Sequence, residues 1–92
     1  MSDKYNNLAF ELVDASDVPF EDDMYLLVEY TDWIGVHKGE SRDIIFSKES
    51  DGLYYRIRQY RSGSDFTDWY YEAEAPVRVE PETVAKIVWN EV

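Results

Sequence analysis

Apolar and polar positions recur along this chain with two different periods. Between Tyr5 and Val13, the residues Leu8, Ala9, Leu12 and Val13 fall at i, i+1, i+4 and i+5. That spacing gathers them on one face of a short helix, with Asp3 or Asn6 as its cap. The same stretch also reads as a strand centred on Leu8-Ala9-Phe10; the helix is the preferred assignment. Asp14 to Asp23 then reads as a loop, because it holds five acids and Pro19, which lacks the donor an inner strand needs. From residue 24 the period changes to two. Met24, Leu26, Val28 and Tyr30 alternate with Tyr25, Leu27 and Glu29, the signature of a strand.

Val36 to Ser41 reads as a turn region, and Asp43 to Ser47 as a short strand around Ile44-Ile45-Phe46. Glu49-Ser50-Asp51-Gly52 is the strongest local signal: an Asp-Gly pair between apolar runs predicts a tight hairpin, since glycine takes positive φ without steric penalty. In the strand Leu53 to Tyr60, Leu53, Tyr55, Ile57 and Gln59 face one way, and Tyr54, Arg56, Arg58 and Tyr60 the other. Arg61 to Asp65 reads as a loop. Trp69 to Val79 forms one or two extended pieces broken at Pro76, and Thr83 to Trp89 a last strand. The expected fold is α+β or mostly β. It is a single domain over residues 1–92, with a four- to five-stranded antiparallel sheet and one N-terminal helix, or an extra strand in its place.

Charge narrows the function classes. The chain of 92 residues carries 20 acids and 9 bases, a net of −11. Residues 1–32 hold nine acids against one base, residues 33–64 four against six, and residues 65–92 seven against two. Two acidic segments thus flank a weakly basic middle, and so strong an excess of acid argues against nucleic acid or an anionic membrane as the main partner. With no cysteine there is neither a disulfide nor a thiolate site. The longest apolar run, Met24 to Val28, is too short for a signal-peptide core or a membrane span, so a cytoplasmic protein is expected.

Three strings in the second half resemble a known group. Ile44-Ile45-Phe46, then Asp51-Gly52-Leu53-Tyr54-Tyr55-Arg56-Ile57, then Val79-Glu80-Pro81-Glu82-Thr83-Val84-Ala85-Lys86-Ile87-Val88-Trp89, are similar to small acidic proteins encoded by phages and prophages. The resemblance spans roughly residues 43–92 and rests on structural motifs. It implies an accessory phage gene product, a class rich in inhibitors of host enzymes and defence systems, and it assigns a role to no individual residue.

The residues themselves offer little for catalysis. His37, the sole histidine, lies in a turn region with no fixed partner to tune it. The four glycines are dispersed, and no nucleophile elbow or phosphate-cradling loop is present. Asp14, Asp17, Glu21, Asp22 and Asp23 carry hard oxygens but lack the alternating spacing of a calcium loop, so they read as a solvated acidic segment. No catalytic residue, metal or cofactor is expected.

The most informative segment is Asp65-Phe66-Thr67-Asp68-Trp69-Tyr70-Tyr71-Glu72-Ala73-Glu74, which holds four acids and four large rings in ten residues. Aromatics of this kind anchor interfaces, and surrounding acids steer a basic partner. On an extended strand Glu72 and Glu74 would point the same way about 6.6 Å apart, a spacing suited to a groove built for phosphates. The expected contact residues are Trp33, Asp65, Asp68, Trp69, Tyr70, Glu72 and Glu74, with Asp14, Asp17, Glu21, Asp22 and Asp23 from the N-terminal acidic segment. Arg56, Arg58 and Arg61 with Tyr54 and Tyr60 are expected to line one sheet face. There they would pair with Glu72 or Glu74, or meet the acidic stripe of a second copy in a homodimer.

These readings point to a non-catalytic, DNA-mimicking phage inhibitor of a basic, nucleic-acid-handling host protein, of the anti-CRISPR or anti-restriction type, acting in the host cytoplasm. The alternatives are a self-assembling structural or regulatory accessory protein and a toxin-neutralising immunity protein.

Overall fold

The computed structural model describes residues 3–36, 39–64, 67–83 and 87–92. Helix α1 (Asp3–Ala15) is followed by eight strands: β1 (Asp17–Phe20), β2 (Asp23–Tyr30), β3 (Ile34–Val36), β4 (Gly39–Lys48), β5 (Tyr54–Ser64), β6 (Thr67–Ala73), β7 (Val77–Thr83) and β8 (Ile87–Glu91). All join one antiparallel sheet, in which β2 and β3 lie in succession along one edge of β4, and β6 and β7 in succession along the far edge of β5. The sheet is therefore a meander about a central β4–β5 hairpin, with β1 and β8 outermost.

The helix is the one the apolar spacing predicts. Leu8, Ala9 and Leu12 are buried and meet Val18, Tyr25, Ile44, Phe46, Ile57 and Ala73 of the sheet. Asn6 is not its cap. It sits inside the helix, where its Oδ1 accepts from Gln59 Nε2 at 2.6 Å. Ser16 ends the helix in the left-handed region (φ 71°), its N–H donating to Leu12 O, and its own carbonyl accepts from Leu27 N to tie the helix end to β2. A ladder of rings crosses the core. Phe46 stacks between Tyr25 (4.8 Å) and Tyr55 (5.7 Å), and Tyr25 continues to Phe20 (5.2 Å).

The strand count of eight corrects the expected four to five, for reasons local to each miss. Asp17–Phe20 is a strand inside the predicted loop. Its hairpin with β2 turns through Glu21 and Asp22, both at positive φ (51° and 62°), a two-residue turn built without glycine. Pro19 is tolerated because β1 is an edge strand. The predicted turn over Val36–Ser41 is narrower, since β4 already begins at Gly39, opposite Val36. A side chain at Gly39 would meet the Arg61 carbonyl oxygen at 2.4 Å, so the close approach of β4 and β5 there requires glycine. Arg61 to Ser64 extends β5 rather than forming a loop. The last predicted strand is divided between β7 and β8; its central residues, Val84–Lys86, lie outside the described ones.

The predicted Asp-Gly hairpin is present. Gly52 takes φ 68°, Gly52 N donates to Lys48 O, and the Asp51 carboxylate accepts from Leu53 N (2.8 Å) and the Tyr55 hydroxyl (2.6 Å).

One bulge changes a predicted face. The β2–β4 register shifts between Leu27 and Glu29, so Val28 drops out of the pairing and is exposed, and the alternation reverses beyond it.

Candidate interaction surface

The acidic–aromatic segment becomes β6, paired with the second half of β5. Register places Tyr71 opposite Arg61 and Ala73 opposite Gln59, on the side covered by α1; Glu72 lies opposite Tyr60 on the other side. The two candidate tryptophans come together, but around an arginine of the same chain. The Arg61 guanidinium lies 4.4 Å from the ring of Trp33 and 4.4 Å from that of Trp69, and it pairs with Glu40 at 2.7 Å. Beside it, Arg42 stacks on Trp33 (4.6 Å) and Phe10 (5.3 Å), while Phe10 meets Tyr71 edge-on at 5.1 Å.

Arg42 is buried, and among the described residues no carboxylate pairs with it. Its Nε donates to Gln59 Oε1 at 2.8 Å, and burial first, then the charge of Arg61, pulls its pKa down. Stacking on electron-rich ring faces supplies part of the charge compensation that a carboxylate would otherwise give. Both indoles are half-buried, whereas Tyr70 on the same strand is 65% exposed.

β6 ends at Ala73, but Glu74 N still donates to Arg58 O at 2.9 Å, so the pairing with β5 runs one residue further before Ala75-Pro76 leads into β7. Glu72 lies opposite Tyr60, and the Glu74 carboxylate accepts from the Tyr60 hydroxyl at 3.1 Å. Burial, then that bond, raises the Tyr60 pKa. Asp68 is exposed; Asp65 and His37 lie outside the described residues.

The N-terminal acids divide in two. Asp23 is structural. Its Oδ1 accepts from Met24 N (2.8 Å) and Ser50 N (3.2 Å), and its Oδ2 from the Ser50 hydroxyl (2.6 Å), which fastens the β1–β2 hairpin to the β4–β5 turn. The Ser50 bond leads in lowering its pKa. Glu21 pairs with Lys4 at 2.8 Å. Asp14 and Asp17 remain exposed and, with Glu11, Ala15, Val18 and Pro19, line a groove of about 430 Å³ between α1 and β1. The last turn of α1 carries no basic residue, so these carboxylates add to the negative end of the helix dipole.

The expected arginine stripe is corrected by strand parity. Arg56 and Arg58 share a face, but Arg61 follows Tyr60 without a bulge and points to the α1 side. Their acids are also different from those expected: Arg56 pairs with Glu91, Arg58 takes both oxygens of Asp43 (2.8 and 3.2 Å), and Arg61 pairs with Glu40. The bidentate Asp43 contact holds the Arg58 pKa above its ordinary value. Arg78 pairs with Glu80 at 3.5 Å, and Lys48 lies over the rings of Tyr25 and Tyr55. Every described Lys and Arg is therefore engaged by a carboxylate or an aromatic ring of its own chain.

Sequence reasoning missed a pocket on the sheet face turned away from α1. Ile45 and Val79 are buried there although the helix covers the other side, and Trp89 of β8 packs against Tyr54 with ring centres 5.0 Å apart. Alternation along β5 already put Tyr54 and Arg56 on that face, but the reach of Trp89 across β7 has no local signature.

Compared with known proteins, residues 1–92 match the family model described as Phage T4 Y04K protein. No curated protein and no solved structure matches the chain.

Proposed function

We propose that this chain, which belongs to the Phage T4 Y04K protein family and is thus a small phage-encoded protein, is a non-catalytic acidic binding protein that occludes a cationic site on a nucleic-acid-handling host protein. An anti-CRISPR or anti-restriction inhibitor is the form of this activity that suits a phage product. One observation carries the reading: each described base is engaged by a carboxylate or ring of its own chain, whereas Glu11, Asp14, Asp17, Asp22 and Asp68 stand in solvent. A chain of net charge −11 thus presents its excess acid outward. Such a surface accelerates encounter with a basic groove and competes with phosphates for the same Lys and Arg side chains. Tyr70, 65% exposed and two positions from Asp68 on β6, offers an apolar contact next to that acid in the sequence.

The test compares the wild-type chain with a variant carrying Asp14→Asn, Asp17→Asn and Asp68→Asn, using host proteins captured from a bacterial lysate. The expected partner is released by salt and by duplex DNA. The variant associates with it roughly tenfold more slowly, with a flatter salt dependence. Capture of further copies of the chain alone, or association indifferent to the three substitutions, would overturn the reading.

A further inference from the structure

Among the described residues, β1, β3, β6 and β8 each have a neighbouring strand on one side alone. Open edges invite pairing with other chains, and proteins blunt them with short length, charge, proline or bulges. β1 has four residues and carries Asp17 and Pro19. β3 has three residues. β6 carries Asp68 and Glu72, and its register with β5 is interrupted between Ser62 and Ser64. β8 lacks these devices: Ile87-Val88-Trp89-Asn90-Glu91 pairs with β7 in unbroken register, and its one acid, Glu91, is matched by Arg56.

The ladder fixes which backbone groups of β8 face outward. Val92 N donates to Arg78 O, so by alternation Asn90 and Val88 turn their N–H and C=O toward β7. Trp89 stands opposite Pro81, which has no N–H to give, in agreement with that phase. Ile87, Trp89 and Glu91 therefore direct their N–H and C=O to the outer side, where no described strand pairs with them.

The strand's charge selects the occupant. A basic segment would find no unmatched carboxylate on β8, since Glu91 already holds Arg56. Two copies of this chain, each of net charge −11, meet with least repulsion where charge is lowest, and β8 is such a strip. It is also self-complementary. Turned antiparallel about a two-fold axis at Trp89, Ile87 meets Glu91 of the second copy, Val88 meets Asn90, and Trp89 meets its own counterpart, so no like charges stand opposite.

We propose that β8 is a dimerisation edge, pairing antiparallel with β8 of a second copy so that Ile87, Trp89 and Glu91 of each chain exchange backbone hydrogen bonds and the two sheets become one. The acids of the inhibitor reading, Asp14, Asp17 and Asp68, lie on other elements, and each proposal stands or falls without the other.

The experiment is sedimentation equilibrium on the full chain across the micromolar range. The wild type should show twice the mass of the 10.9 kDa chain, and added salt should tighten the dimer by screening the repulsion between two acidic copies. Ile87→Pro removes an outward N–H at the first residue of β8, which the β7 ladder does not use, and should weaken the dimer at least about tenfold. The register is read separately. The chain has no cysteine, so after mild oxidation an equimolar mixture of Val88→Cys and Asn90→Cys chains should give a disulfide-linked dimer, and neither variant alone should. Single-chain mass throughout, a dimer indifferent to Ile87→Pro, or a mixture that links no better than either variant by itself would each overturn the proposal. The wild-type mass and the mixture decide the matter even where Ile87→Pro fails to fold.

Discussion

Replacing Trp69 by alanine separates scaffold from anchor. An exposed anchor can be removed with little change in stability, whereas a wall of the Arg61 stack cannot. The indole is half-buried, which takes about 100 Å² of apolar surface out of water and contributes about 2.5 kcal/mol at about 25 cal/mol per Å². That figure is an upper bound, since the unfolded chain is itself partly collapsed. Arg61 sits 4.4 Å from the ring with its side chain only 22% exposed, which adds about 1 kcal/mol of cation–π attraction.

The expected loss is therefore about 2–3 kcal/mol, or a fall in melting temperature of about 10–20 °C for a domain of this size. Urea unfolding followed by far-ultraviolet circular dichroism reads it as a lower midpoint at unchanged slope. Tyr70→Ala, on the neighbouring position of β6 and 65% exposed, is the internal control and should stay within about 0.5 kcal/mol of wild type. A double-mutant cycle with Arg61→Ala should return a coupling of at least about 0.5 kcal/mol. A stable Trp69→Ala protein, or a cycle with no coupling, would refute the argument and return the indole to the surface.

Two further outcomes follow from the turns. Asp22 holds φ 62° in the β1–β2 turn with no hydrogen bond from its side chain to any described residue, so Asp22→Gly removes left-handed strain and should raise stability by about 0.5–1 kcal/mol; a lower melting temperature would contradict that turn. Asp51 and Asp23 have folded pKa values below the ordinary 3.8, led by the Tyr55 and Ser50 hydrogen bonds respectively. Their contribution is present above pH 3.8 and is lost as the pH falls below it, because there the unfolded chain takes up protons the folded one resists. Asp51→Asn should flatten the acid limb of a stability–pH curve, and an unchanged limb would remove Asp51 as its cause.

Net charge and pairing act together in this molecule. An excess of eleven negative charges opposes compaction by self-repulsion. Setting Arg56, Arg58 and Arg61 against Glu91, Asp43 and Glu40 relieves part of that repulsion across strands, while Glu11, Asp14, Asp17, Asp22 and Asp68 remain exposed.

Features set by neighbours along the chain were legible from residues alone. The spacing of Leu8, Ala9 and Leu12 dictates a helix with one buried face, Asp51-Gly52 dictates the hairpin between β4 and β5, and the alternation from Leu53 to Tyr60 dictates which of those side chains share a face. Each depends on backbone geometry over a few residues, where sterics and period suffice. The rest was decided by tertiary structure. β1 exists because Asp17–Phe20 finds an open edge on β2 despite Pro19, and Val28 leaves its strand because β4 imposes a shifted register. The carboxylates that meet Arg56, Arg58 and Arg61, the Arg61 stack between two tryptophans, and the reach of Trp89 over Tyr54 join residues 8 to 35 positions apart. Such contacts follow from how a twisted sheet folds back on itself, and no local pattern encodes which distant carboxylate or ring will arrive first.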